Sequence, residues 1–188
     1  MNFILASGSP RRRALLKKLR IPFKVIVSHV SEKSAETRPV HLVRALALRK
    51  ARAVASKNPK AIVLGADTVV VLKGKILGKP KDIQDAYRML YRLSGSRHKV
   101  YTGVALIEGT KTLVDSAVSV VSMKKINLDR LLVLSRKHLD KAGAYAIQEK
   151  KDPIARIVRG SYDNVVGLPV DLVGRMLRKF SSTYDMPG

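Results

Sequence analysis

Residues 2–19 read Asn2-Phe3-Ile4-Leu5-Ala6-Ser7-Gly8-Ser9-Pro10-Arg11-Arg12-Arg13-Ala14-Leu15-Leu16-Lys17-Lys18-Leu19: an apolar strand, a Ser/Gly turn, and a helix opened by Pro10 and three arginines. Ser9 is placed to cap that helix, and Pro10 suits its first position, where no amide is needed. The free N–H groups and positive dipole end of such a helix favour an anion at the mouth of the loop. Small Ser7, Gly8 and Ser9 let backbone approach an oxyanion, and Arg11, Arg12 and Arg13 bring fork-shaped donors that match phosphate oxygens. An ordinary strand-to-helix turn with solvated arginines is the competing reading, so the rest of the chain has to decide.

Working outward, strands and helices alternate, which makes the fold class α/β. Val25–Val27 and Ala61–Leu64 read as short buried strands, and Thr68–Leu72 with Ile76 and Leu77 as a hairpin around Lys73-Gly74-Lys75. Val100–Ile107 and Leu113–Ser122 form a Val- and Thr-rich antiparallel pair across Glu108-Gly109-Thr110. Apolar spacing predicts helices over 10–19, 40–57, 82–93, 127–137 and 169–180. The stripes Ile83, Ala86, Tyr87, Leu90, Leu93 and Val173, Met176, Leu177, Phe180 are core faces. No internal repeat or linker interrupts the chain, and residues 181–188 are expected to fray.

The chain has 188 residues, 46% of them hydrophobic, enough for one domain over 1–188 with a sizeable core, whether as one body or as two lobes. It has no cysteine, which excludes disulfides and thiolate chemistry. No leader and no apolar run of membrane-spanning length is visible, so a cytoplasmic protein without a membrane partner is expected. The net charge of +23 is uneven: residues 1–60 carry 15 Lys/Arg against 2 Asp/Glu. Such a field draws any polyanion, a nucleoside triphosphate as readily as RNA. With aromatics at 5% there are few stacking platforms for a single strand, and much of the charge reads equally well as solvated surface.

Two residues break their local pattern. On the helix at 40–57, Leu42, Val43, Leu46, Ala47, Ala53 and Val54 define an apolar face, with Lys50 near its centre. Lys50 either snorkels to water or meets an acidic ligand in a cleft. Asp67 follows Gly65-Ala66 at the expected end of a strand, where a carboxylate can hold Mg²⁺ or orient water and the small residues leave ligand room. Gly78-Lys79-Pro80 then adds a cation. Each of these motifs also suits an ordinary turn, as do the small-residue segments Leu139–Gln148 and Gly160–Pro169.

Taken in order, Leu5–Arg12, Gly65–Val70, Gly78-Lys79-Pro80, Leu93-Ser94-Gly95, Thr102–Ala105, Asp140–Tyr145 and Gly160–Pro169 closely resemble the Maf family of nucleoside triphosphate pyrophosphatases over nearly the whole length. The resemblance implies a two-lobed fold similar to inosine triphosphate pyrophosphatases, with a long mixed sheet flanked by helices, a central cleft and a homodimer. It implies hydrolysis of a nucleoside triphosphate to monophosphate and pyrophosphate with a divalent cation, Mg²⁺ in the first instance, Mn²⁺ or Co²⁺ as alternatives. By the same resemblance Asp67 is the proton acceptor, Glu32 its acidic partner for metal or water, and Lys79 a catalytic cation. Ser7, Arg12, Arg13 and Lys50 hold the substrate. Arg11, Thr68 and Gln148 occupy the places that mark the dTTP/UTP branch, where a 7-methyl-GTP branch would carry Trp, Gln and Glu.

Departures from the family pattern touch this reading. Ser31-Glu32-Lys33 stands where an acidic pair is common, Arg49 where a Glu precedes the lysine, and Glu149–Pro153 where a glycine-rich segment follows the glutamine. The alternatives are the same chemistry on another base such as 7-methyl-GTP, or a non-catalytic module that binds nucleic acid or a division protein. Nucleic acid is not required as a partner for the leading reading.

Overall fold

In the computed structural model residues 2–147 and 154–180 are described; Gln148 and the 181–188 tail lie outside them. The elements run β1 (Phe3–Leu5), α1 (Pro10–Leu16), β2 (Lys24–Val25), α2 (Pro39–Ala55), β3 (Ile62–Leu72), β4 (Lys75–Leu77), α3 (Ile83–Leu93), β5 (Arg97–Glu108), β6 (Lys111–Met123), α4 (Leu128–Ser135), β7 (Ala155–Arg159), α5 (Tyr162–Val166) and α6 (Val170–Phe180). Among the described residues they form a mixed seven-stranded sheet of order β2-β1-β3-β5-β6-β7, with β4 beside β3, and helices flank it. β1 runs parallel to both β2 and β3, while β4 and β7 run antiparallel to β3 and β6. No helix among the described residues is long and apolar enough to cross a membrane.

Among the described residues the chain forms two compact units, one from 2–67, 102–117 and 167–180, the other from 68–101, 118–147 and 154–166. In the first unit, α2 packs its Ala47, Ala51, Val54 and Ala55 against Ile4, Ala6, Ala61, Val63, Ala105 and Ile107. This alanine-rich contact lets helix and sheet come close, and two glycines bring them closer still. A Cβ on Gly65 of β3 would lie 2.2 Å from Ala47 O, and one on Gly103 of β5 would lie 2.2 Å from Val43 O. The helix backbone occupies the space that side chains would need there. The second unit is built on larger residues: Leu90 and Leu93 of α3, Leu131 and Leu134 of α4, Val100, Val121, Met123 and Tyr145.

The α/β expectation holds, and so do the five helices, within about two or three residues at their ends. The first is shorter than expected, because α1 stops at Leu16 and a 3-10 turn continues over Lys17–Leu19. The hairpin closes on Lys73-Gly74, both with positive φ, the two-residue turn that matches strand twist. Two readings fail. Val25–Val27 is not a buried strand: β2 spans two residues at the sheet edge, and Val25, Ile26 and Val27 are exposed. A β-branched run has the same appearance in a core and on an edge. Asp67 is not at a strand end either, because β3 continues unbroken through Gly65-Ala66-Asp67-Thr68 for 11 residues. The small residue Gly65 marks the seat of α2 and neither a turn nor ligand room.

Gly65→Ala is therefore expected to destabilise the protein by about 3 kcal/mol, at the upper end of overpacking costs, since backbone must move to admit one methyl. Gly78→Ala is the control: nothing lies within 4 Å of its added Cβ, and a change within about 0.5 kcal/mol is expected. Urea unfolding of the two variants checks the contrast.

Candidate active site

The loop that leaves β1 is organised by its own hydroxyls. Ser9 Oγ accepts from Arg12 N at 3.4 Å and caps α1, and Ser7 Oγ accepts from Ser9 N at 3.3 Å. The Arg12 side chain folds back over this loop: Nη1 donates to Ser7 Oγ at 3.3 Å and Nε to Gly167 O at 2.9 Å. Burial pulls the Arg12 guanidinium below its ordinary value; Asp67 and Glu32 oppose this, and Arg11 adds to it. Arg12 therefore stands within the field of two carboxylates. The expected anion cradle changes character. Amides of Ser9 and Arg12 are satisfied by hydroxyls, α1 has only seven residues, and a Val27 methyl lies 3.3 Å from where a Gly8 Cβ would be. What the loop offers an anion is Arg12, with little from the helix dipole.

The seat of α2 explains the next feature. Gly65 and Asp67 are two residues apart on β3 and so share a face, and Ala47, Lys50 and Ala51 share the face of α2 that covers them. Lys50 is consequently lowered onto Asp67, its Nζ donating to Asp67 Oδ1 at 2.6 Å and to Glu32 Oε1 at 2.7 Å. Lys50 and Asp67 are 7% and 6% exposed, so this lysine does not snorkel to water. Glu32 is the open member of the trio, its side chain 43% exposed.

Glu32 lies in a stretch without regular structure, and Arg49 steadies it. Arg49 Nη1 donates to Ser31 O at 2.8 Å and to Lys33 O at 2.9 Å, the carbonyls on either side of Glu32. The sequence marked Arg49 only as a departure from a family glutamate; an arginine on an exposed helix position looks the same whether it is solvated or clamps a neighbouring loop. Of the other expected residues, Arg13 lines a surface hollow of about 290 Å³ with Lys17, Ile21, Pro22, Phe23 and Val25 and is not part of the Lys50 cluster. Arg11 is half-buried on α1. Thr68, half-buried, follows Asp67 on β3 and turns to the opposite face of the strand, and exposed Lys79 lies between β4 and α3; both belong to the second unit. Gln148 lies outside the described residues.

A buried ion pair gains little net stability, but removing one partner strands the other. Lys50→Met is expected to cost about 3–5 kcal/mol, because Asp67 is left buried beside Glu32 without its ammonium. Lys50→Met combined with Asp67→Leu should unfold at higher denaturant than Lys50→Met alone. A double variant no more stable than the single one would show that Asp67 carries no burial penalty.

The sequence matches the family described as Maf-like protein over residues 2–180. A protein of Elusimicrobium minutum named dTTP/UTP pyrophosphatase is 43% identical over 182 residues, covering 96% of this chain and 99% of that protein. Another of the same name from Symbiobacterium thermophilum is 47% identical over 180 residues, covering 94% and 93%. Among solved structures, the Ham1 protein of Staphylococcus aureus has a TM-score of 0.57 at 14% identity, covering 96% of this chain and all of that one, which is a likeness of fold. The described elements from β1 to α6 all fall within the family match, and so do Ser7, Arg12, Glu32, Lys50 and Asp67: the chain belongs to the Maf family.

Proposed function

We propose that this chain hydrolyses dTTP and UTP to the monophosphate and pyrophosphate with the help of a divalent cation. The observation that carries the reading is the Lys50 ammonium held between Asp67 and Glu32, within the field of Arg12. It supplies acidic and basic groups together, as a metal-bound triphosphate requires, where a simple anion site would need only the basic ones. The relatives' shared name, dTTP/UTP pyrophosphatase, supports the same substrate class.

The donor set fits a hard cation. Asp67 and Glu32 both reach one ammonium, and no cluster of three or more His, Cys, Asp or Glu with metal-holding geometry occurs among the described residues. One or two carboxylates completed by water and substrate phosphates is the usual provision for Mg²⁺, which needs no full protein cage. When bound there, the cation would neutralise charge on the departing pyrophosphate.

The side chains then divide the work. Asp67 takes the proton from the water that attacks the α-phosphorus. Lys50 has three donors, of which two go to carboxylates among the described residues; a phosphate oxygen takes the third. Arg12 and Ser7 bind phosphate oxygens at the loop. Lys79 is assigned to the phosphates, and Arg11, Thr68 and Gln148 to the base, on the family motifs. Arg13 is retained as a long-range cation only. The same reading makes the protein a cytoplasmic homodimer, where its nucleotide substrates are, with nucleic acid as no obligatory partner.

Asp67→Asn keeps the shape and loses basicity, so kcat is expected to fall by about 10² to 10⁴, with Lys50 still paired to Glu32 and the fold retained. Wild-type protein should favour UTP or dTTP over ATP and GTP by at least about tenfold in kcat/KM, equivalent to about 1.4 kcal/mol, and EDTA should abolish turnover. Pyrophosphate release from a nucleotide panel is the measurement. Preference for 7-methyl-GTP would overturn the base assignment alone; no pyrophosphate from any nucleotide would favour a binding module.

A further inference from the structure

In the second unit, the turn that follows α4 is strained and unusually well anchored. Gly143 and Ala144 both adopt left-handed backbone, φ 71° and 59°, and Ala144 is a buried non-glycine residue in that conformation. Such a conformation persists only where its surroundings over-determine it. Three hydrogen bonds do so here. Ala144 N donates to Lys141 O at 3.1 Å, Gly143 N donates to Gly78 O at 3.0 Å, and the Tyr145 hydroxyl meets His98 Nε2 of β5 at 2.6 Å. Gly78 is the residue before Lys79, so the turn holds the base of the loop that presents Lys79.

The third bond is the informative one. His98 and Tyr145 are 2% and 5% exposed, and their rings meet edge to face with centroids 5.2 Å apart. Burial lowers His98 to about 4 and raises Tyr145, so both are neutral at physiological pH and share one hydrogen bond whose direction follows the histidine tautomer. His98 Nδ1 is buried with no partner among the described residues, a cost that an apolar residue at 98 would avoid. A core built only for stability would place Leu and Phe here.

We infer that His98 and Tyr145 are a positioning pair that fixes the Gly143–Ala144 turn under Gly78 and so sets Lys79 for its phosphate. The inference rests on the proposed reading of Lys79.

The test compares Tyr145→Phe, Tyr145→Phe with His98→Leu, Lys79→Ala, and Lys79→Ala with Tyr145→Phe. Removing one hydroxyl strands its partner, whereas replacing both partners by apolar side chains restores stability. Tyr145→Phe should therefore lower the melting temperature and the double apolar variant recover it, while both lose about tenfold in kcat/KM for UTP. Amide exchange at Gly143 should accelerate at least about tenfold in both, against an unchanged Ala6 amide, which bonds Leu64 O in the first unit. Adding Lys79→Ala to Tyr145→Phe should cost little beyond Lys79→Ala alone. Activity that returns with stability, an unaltered Gly143 amide, or losses that multiply would each overturn the inference. If Lys79→Ala by itself leaves kcat/KM intact, the assignment of Lys79 fails, and the catalytic half of the inference fails with it whatever the exchange shows.

Discussion

Helix α2 touches the sheet backbone to backbone at two glycines, and the arrangement of the site follows from that contact. Gly65 and Gly103 leave no Cβ between helix and strand, and Ala47 and Ala51 keep the rest of the interface thin. At that separation a lysine on the buried face of α2 reaches a carboxylate two residues along β3 and cannot reach water instead. A larger residue at either glycine would lift the helix, and with it Lys50 and Arg49. The irregular segment carrying Glu32 is held by the same helix, through the Arg49 clamp on Ser31 and Lys33.

This geometry is costly to maintain. The pair Lys50–Asp67 is withdrawn from water with only part of the desolvation returned by its hydrogen bonds, and well-packed apolar residues would serve stability at least as well. The chain's +23 charge compounds the cost by self-repulsion, and a field of that sign would draw polyanions toward a site whose own carboxylates repel them. Both features are intelligible if a highly charged anion and a cation meet there. Neither is intelligible as a device for folding.

Much of the fold was legible because apolar periodicity records which face of each element is buried. Lys50 stood out as a cation on an apolar stripe, and the structure gives it buried acidic partners. Asp67 was harder to place: glycine and alanine before it look like the end of a strand, and only the helix packed against them shows why the strand continues. Val25–Val27 misled for the opposite reason, since β-branched residues suit an exposed edge as well as a core. Arg49 showed only as a departure from a family glutamate and not as a clamp, because its partners are backbone carbonyls 16 and 18 residues away, which sequence spacing does not reveal. The His98–Tyr145 contact spans 47 residues and was equally hidden.

Attack of water at the α-phosphorus of a nucleoside triphosphate is the step proposed for this assembly. Hydrolysis of UTP in ¹⁸O-enriched water, with products resolved by ³¹P NMR, tests it most directly. Attack at the α-phosphorus puts the label in UMP and leaves the pyrophosphate unlabelled. Label in pyrophosphate, or orthophosphate as the first product, would contradict it.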